Sequence, residues 1–198
     1  MGLLRPPPGA TVAPARSAGP ERTATQHVRG GGAVITFAGI SHLALTVTDL
    51  DVSERFYTEV LDFVTVLDVG HGRVLMHPGT GFTLGLARHE EAYGGPFTEL
   101  RTGLDHLGLT ASSREELEEW VRRFDEWGVT YTPIRDMEMG SHLNFRDPDG
   151  IALELDCPNE LAETARAALA SGATAEDIAA FVAEHLGPEL APRPLPVR

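Results

Sequence analysis

The chain has 198 residues, 42% of them hydrophobic, enough for one compact domain or two small modules sharing a core. Its net charge is −13; the first 35 residues hold four arginines against Glu21 alone (+3), so the remainder stands at −16. Such a surface repels phosphate backbones and anionic lipid, so the expected partner is a small molecule, with neither nucleic acid nor membrane.

All 16 basic residues are arginine, which removes lysine Schiff-base and lysine general-base chemistry. A lone cysteine, Cys157, excludes an intrachain disulfide and fits a reducing compartment. No apolar run approaches the ~20 residues of a membrane span and the N-terminus lacks a signal-type apolar core, so a cytoplasmic location is expected.

Residues 1–36, with their Pro-Pro-Pro and Gly-Gly-Gly runs, read as a disordered extension. From there the pattern predicts a domain over 37–157. Module one (37–90) has strand 38–47, a helix at about 51–61, and strands near 63–69, 73–77 and 82–88. Asp49 or Asp51 can cap its helix, with Val52, Phe56 and Val60 as the buried stripe. Residues 89–102 have linker composition. Module two (103–157) repeats the order, with strand 104–111, helix 113–127, and strands near 129–135, 142–146 and 151–156. Ser112 or Ser113 starts that helix, Gly128 ends it, and Trp120 and Trp127, seven apart, are expected on its core face. Residues 158–198 form a C-terminal extension with helices at about 159–171 and 175–186, the second opened by a Thr174/Asp177 capping box, and a Pro-rich tail.

A shift of 64 positions overlays Gly39-Ile40-Ser41-His42-Leu43-Ala44-Leu45-Thr46 on Gly103-Leu104-Asp105-His106-Leu107-Gly108-Leu109-Thr110, and the segments that follow repeat too. The fold class is therefore α+β, two βαβββ modules. Strand alternation places His42, Ala44 and Thr46 opposite Leu43 and Leu45, His106, Gly108 and Thr110 opposite Leu107 and Leu109, and Glu154 opposite Leu153 and Leu155. A carboxylate within Ile-Ala-Leu-Glu-Leu is costly to bury unpaired, and a divalent cation shared with two neutral imidazoles removes that cost. His42, His106 and Glu154 thus suit a facial metal site for Fe(II), Mn(II) or a similar ion. The alternatives are core histidines related only by duplication and a glutamate paired with arginine.

His42-Leu-Ala-Leu-Thr-Val-Thr-Asp-Leu50 with Arg55-Phe56-Tyr57, then Leu104-Asp-His-Leu-Gly-Leu109, then Phe145-Arg-Asp-Pro-Asp-Gly-Ile-Ala-Leu-Glu-Leu155, resembles the vicinal oxygen chelate superfamily. That group includes glyoxalase I, bleomycin-resistance proteins, fosfomycin-modifying enzymes and extradiol dioxygenases. The resemblance implies a cup-like eight-stranded mixed sheet around a divalent metal, Fe(II) or Mn(II) first and Zn(II), Ni(II) or Co(II) as alternatives, with ligands at His42, His106 and Glu154. It also implies modules paired within a chain or across a homodimer. Gly85 stands where the duplicate of Glu154 would be, which removes the fourth ligand of the glyoxalase I pattern and tilts the reading toward dioxygenase-type oxidoreductase chemistry. His142, on the strand beside Glu154, is the candidate acid/base. The other readings are a glyoxalase-type lyase or isomerase, and a bleomycin-resistance-like protein that sequesters a drug without turnover. Fosfomycin-type thiol transfer would ask for a basic phosphonate pocket, for which Arg135 and Arg146 are the candidates.

Overall fold

The computed structural model describes residues 39–92 and 95–192; the predicted N-terminal extension and the end of the tail lie outside them. Module one is β1 (Leu43–Thr46), α1 (Leu50–Arg55) with a π-helical continuation over Phe56–Val60, then β2 (Val64–Asp68), β3 (Gly72–Met76) and β4 (Thr83–Ala87). Asp49 is the cap, its Oδ1 accepting from the N–H groups of Asp51 (2.9 Å) and Val52 (3.1 Å). The buried stripe differs from the predicted one. Val52 is 50% exposed, and Leu50, Ser53, Phe56, Tyr57 and Val60 face inward, because the wider π turn brings both Phe56 and Tyr57 to the core.

Module two is β5 (Leu107–Thr110), α2 (Arg114–Trp127), β6 (Arg135–Met137), β7 (Gly140–Arg146) and β8 (Ala152–Pro158). Ser113 Oγ accepts from the Glu116 N–H at 3.1 Å and Gly128, at φ 65°, closes the helix in the left-handed region that glycine occupies without strain. Leu117 and Phe124 are fully buried and Trp120 packs partly against them. Trp127 is 48% exposed, contrary to expectation: it lies in the last turn, beyond Phe124, whose ring stacks on Phe145 at 4.6 Å. The strand expected at 129–135 is displaced to Arg135–Met137. Pro133 has no N–H to offer a ladder, and before it only Tyr131 bridges to Phe145.

Among the described residues eight strands make two four-stranded mixed sheets, ordered β1-β4-β3-β2 and β5-β8-β7-β6. In each, the first strand pairs parallel to the last and the rest are antiparallel. Registers are equivalent: Ala44 opposes Gly85 in module one as Gly108 opposes Glu154 in module two. The leucine faces (Leu45, Leu75, Leu84 and Leu86; Leu143, Leu153 and Leu155) are at most 5% exposed and join Phe56, Tyr57, Leu117, Phe124 and Phe145 in one core that spans both modules. Polar links also cross between modules. Tyr57 Oη donates to Asp147 Oδ2 at 3.1 Å, and Thr48 donates to Asp149 through its N–H (3.1 Å) and its hydroxyl (2.5 Å). On the helix side, Arg123 grips Asp62 through both amino groups at 2.7 Å.

The predicted C-terminal helices are present as α3 (Glu160–Ala170), capped by Asn159, and α4 (Ala175–His185), opened by the Thr174/Asp177 capping box. α3 lies against β8 and α4 against α3. Among the described residues no helix is long and apolar enough to cross a membrane.

Candidate metal centre

Because each sheet turns its leucine face to the core, its other face is open, and the predicted ligands lie on these open faces. On module two the face carries Gly108 and Thr110 of β5, Glu154 and Asp156 of β8, and His142 and Asn144 of β7, with the cross-strand pairs Gly108/Glu154, Asn144/Glu154 and His142/Asp156. His106 stands immediately before β5 and reaches the same place: its Nε2 is 3.4 Å from Glu154 Oε2. The other carboxylate oxygen, Oε1, meets His142 Nδ1 at 3.0 Å. Asp156 Oδ1 lies 3.6 Å from that same nitrogen. Glu154 is thus held between two imidazoles, its side chain only 15% exposed, with no arginine among the described residues paired to it. The lack of a side chain at Gly108 opens the space, since a Cβ there would stand 3.8 Å from Glu154 Oε2.

The two predicted histidine ligands share a device that sequence reasoning missed. The residue before each binds its Nδ1: Ser41 Oγ to His42 at 2.9 Å, Asp105 Oδ1 to His106 at 2.6 Å. Both imidazoles therefore have Nδ1 engaged and Nε2 available, the arrangement in which a neighbour orients a metal-binding histidine. The clue was present in the 64-residue overlay, where Ser41 falls on Asp105. The Asp105 hydrogen bond, together with the Glu154 charge, raises the His106 pKa against the opposing effect of burial. With Nδ1–H donated to Asp105, the Nε2 lone pair faces an anionic oxygen, and a proton or a metal ion between them relieves that repulsion. The donor set of imidazole nitrogen and carboxylate oxygen fits a divalent first-row ion.

His42 stands apart from this pair. It precedes β1 on the open face of module one, exposed, and among the described residues its side chain bonds to Ser41 and to no carboxylate of module two. No three His, Cys, Asp or Glu side chains among the described residues converge closely enough within one chain to hold a metal. Gly85, the counterpart of Glu154, is packed tightly, a Cβ there standing 3.3 Å from the Ala44 Cβ, so this face has no room for a second glutamate without movement. Of the remaining histidines, His77 is half-buried, with its ring 5.4 Å from that of Phe63. Arg146, a candidate for anion binding, is already committed to Glu99 at 2.8 Å and the Gly150 carbonyl at 3.2 Å.

A family model described as the glyoxalase/bleomycin resistance protein/dioxygenase superfamily matches residues 39–155, the two modules together. The chain belongs to that superfamily. Among solved structures it is similar to a glyoxylase/bleomycin resistance protein/dioxygenase domain from Frankia sp. EAN1pec, at 36% identity, covering 63% of this chain and 95% of that one, with a TM-score of 0.58. It is also similar to an integron cassette protein from the mobile metagenome of Halifax Harbour sewage outfall (25% identity, 61% and 99% coverage, TM-score 0.51). The fosfomycin resistance protein FosX from Listeria monocytogenes, in a mutant form complexed with Mn(II) and 1S,2S-dihydroxypropylphosphonic acid, shares the fold at 22% identity, 67% and 99% coverage and a TM-score of 0.53. Helices α3 and α4 lie outside the superfamily match.

Proposed function

We propose that this superfamily member is a mononuclear divalent-metal enzyme acting on a small molecule with two adjacent oxygen atoms, and that its site is completed across a homodimer. His106 and Glu154 of one copy and His42 of another hold the ion. When bound, a divalent metal supplies Lewis acidity toward the substrate oxygens. The observation that carries the reading is Glu154 clamped between His106 and His142 on an open sheet face, with His106 oriented through its Nδ1 so that Nε2 faces the carboxylate. The cross-copy site is supported by the separation of His42 from that pair, and by the outer edges of β1 and β5, which have no strand partner among the described residues.

His142 fixes the Glu154 carboxylate through Oε1 and is placed to hold or pass a proton beside the chelated substrate. Within this class the reading favours dioxygenase-type chemistry with Fe(II) or Mn(II), because the crowded Gly85 denies the fourth protein ligand of a glyoxalase-type set and leaves one more coordination position open. His142→Gln should cut turnover, followed as O₂ uptake on a catechol panel, by roughly 10–100-fold while metal content stays at the parent level, the usual cost of losing an outer partner of a ligand. Parent-level turnover in that variant would remove His142 from the chemistry.

Two-copy assembly has its own test. His42→Ala and His106→Ala each lose metal, but when they are mixed, dissociated and reassembled, half of the dimers are hybrids and each hybrid regains one intact site, so about a quarter of the parental metal should return. If each site lies within one chain, none returns.

A further inference from the structure

The open face of module one differs in chemistry from that of module two. The β-ladder registers place Val64 beside Met76, Leu67 beside Val74, and Val74 beside Gly85 on the side away from the core. These are not minor exposures: Val64 is 51% exposed, Leu67 53% and Met76 40%. Val66, at the β2 irregularity, is 53% exposed as well. Contiguous exposed apolar side chains on a strand face mark a binding surface. The strands contribute no charged group to this face. The arginine of β3, Arg73, points to the helix side, where it pairs with Asp51 and Glu54 at 2.5 Å and Asp68 at 3.3 Å. On the open face of module two β8 contributes Glu154 and Asp156, with Arg146 taken by Glu99 and Arg135 exposed at the outer edge strand.

We infer that the substrate joins its two chelating oxygens to an uncharged apolar body, which lies along Val64, Leu67, Val74 and Met76. The inference rests on the proposed metal site, since His42 belongs to this same face and brings it to the ion. An apolar body gains by covering these side chains, whereas a carboxylate, phosphonate or phosphate tail laid on this face would meet no cation from its strands, in a chain of net charge −13.

The test uses full-length protein loaded with Mn(II) under anaerobic conditions and titrated calorimetrically with catechol, with methyl-, propyl- and pentyl-substituted catechols, and with carboxylate- and phosphonate-substituted ones. Affinity should rise about two- to fourfold per methylene. The anionic analogues should bind at least about tenfold more weakly than catechol itself. Val64→Asp and Met76→Gln, both at exposed positions, should abolish the chain-length gain while leaving Mn(II) and unsubstituted catechol binding, and the dimer by light scattering, unchanged. A flat chain-length series, or tighter binding of the anionic analogues, overturns the inference and leaves the metal site standing. Dissociation of the dimer by either variant also overturns it, because the face would then serve the subunit contact. Failure of unsubstituted catechol to bind the Mn(II)-loaded parent overturns both the inference and the site reading beneath it.

Discussion

Glu154→Ala should strip the protein of metal and leave it folded. The carboxylate is the only anionic member of the proposed set, and its two oxygens are the convergence point of His106 and His142. Removing one of three ligands from a site of the strength seen for structural zinc peptides costs about 3–5 kcal/mol, roughly a thousandfold in affinity. The fold should not share that loss. The side chain lies on the open face rather than among the leucines, and deleting it also removes a carboxylate held at 15% exposure, so the apo variant should stay within about 1 kcal/mol of the apo parent. Elemental analysis after dialysis, read beside circular dichroism and thermal unfolding, separates the two effects. Stoichiometric metal in Glu154→Ala would place the ion elsewhere.

The second large effect is a pH dependence of stability seated at Asp147. This carboxyl is 5% exposed under the hairpin of β7 and β8, and its pKa is raised to about 6 by burial. Hydrogen bonds from the Ile151 N–H (2.8 Å) and Tyr57 Oη (3.1 Å) oppose that rise, and the Asp149 charge adds to it. In the unfolded chain it titrates near 3.9, so between about pH 4 and 6 the folded state binds the extra proton and stability falls as pH rises through that window. Above pH 6 the loss is complete, at about 3 kcal/mol. Asp147→Asn keeps an acceptor for the backbone N–H groups and cannot ionise. Its denaturation midpoint should therefore gain on the parent's as pH rises from 4 to 6, the two curves diverging through that window by the Asp147 contribution. Parallel curves would exclude Asp147 as the titrating group.

Much of this architecture was legible because it rests on short-range chemistry. Capping by Asp49, Ser113 and Thr174, the left-handed Gly128 and the strand alternation that separates Glu154 from Leu153 and Leu155 are all local, and each is found. What could not be read depends on longer-range packing. Val52 and Phe56 share helical spacing, but the π turn rotates the stripe onto Tyr57, whose burial depends on a partner 90 residues away, Asp147. Trp127 has the right spacing and stands past the end of its support. At the site, the repeat located His42, His106 and Glu154 on matching faces, yet periodicity carries no information on how two sheets are turned relative to each other. That is why only His106 and Glu154 meet within a chain. The His142 contact with Glu154 follows from β7–β8 register, and the Nδ1 partners Ser41 and Asp105 were hidden in positions read only as repeat markers.

The core that spans both modules has a consequence for synthesis. Tyr57 and Thr48 find their partners 90 and 101 residues later, and Phe56 and Leu45 share a core with Phe124 and Leu155. Contacts of such long sequence separation slow folding, since a large loop must close before they form. At about 5–20 residues per second, the ribosome finishes module one several seconds before Asp147 and Asp149 emerge. During that interval the nascent half-protein presents its leucine face and its apolar β2 together, and it is this species, rather than the finished protein, that chaperones must shield from aggregation.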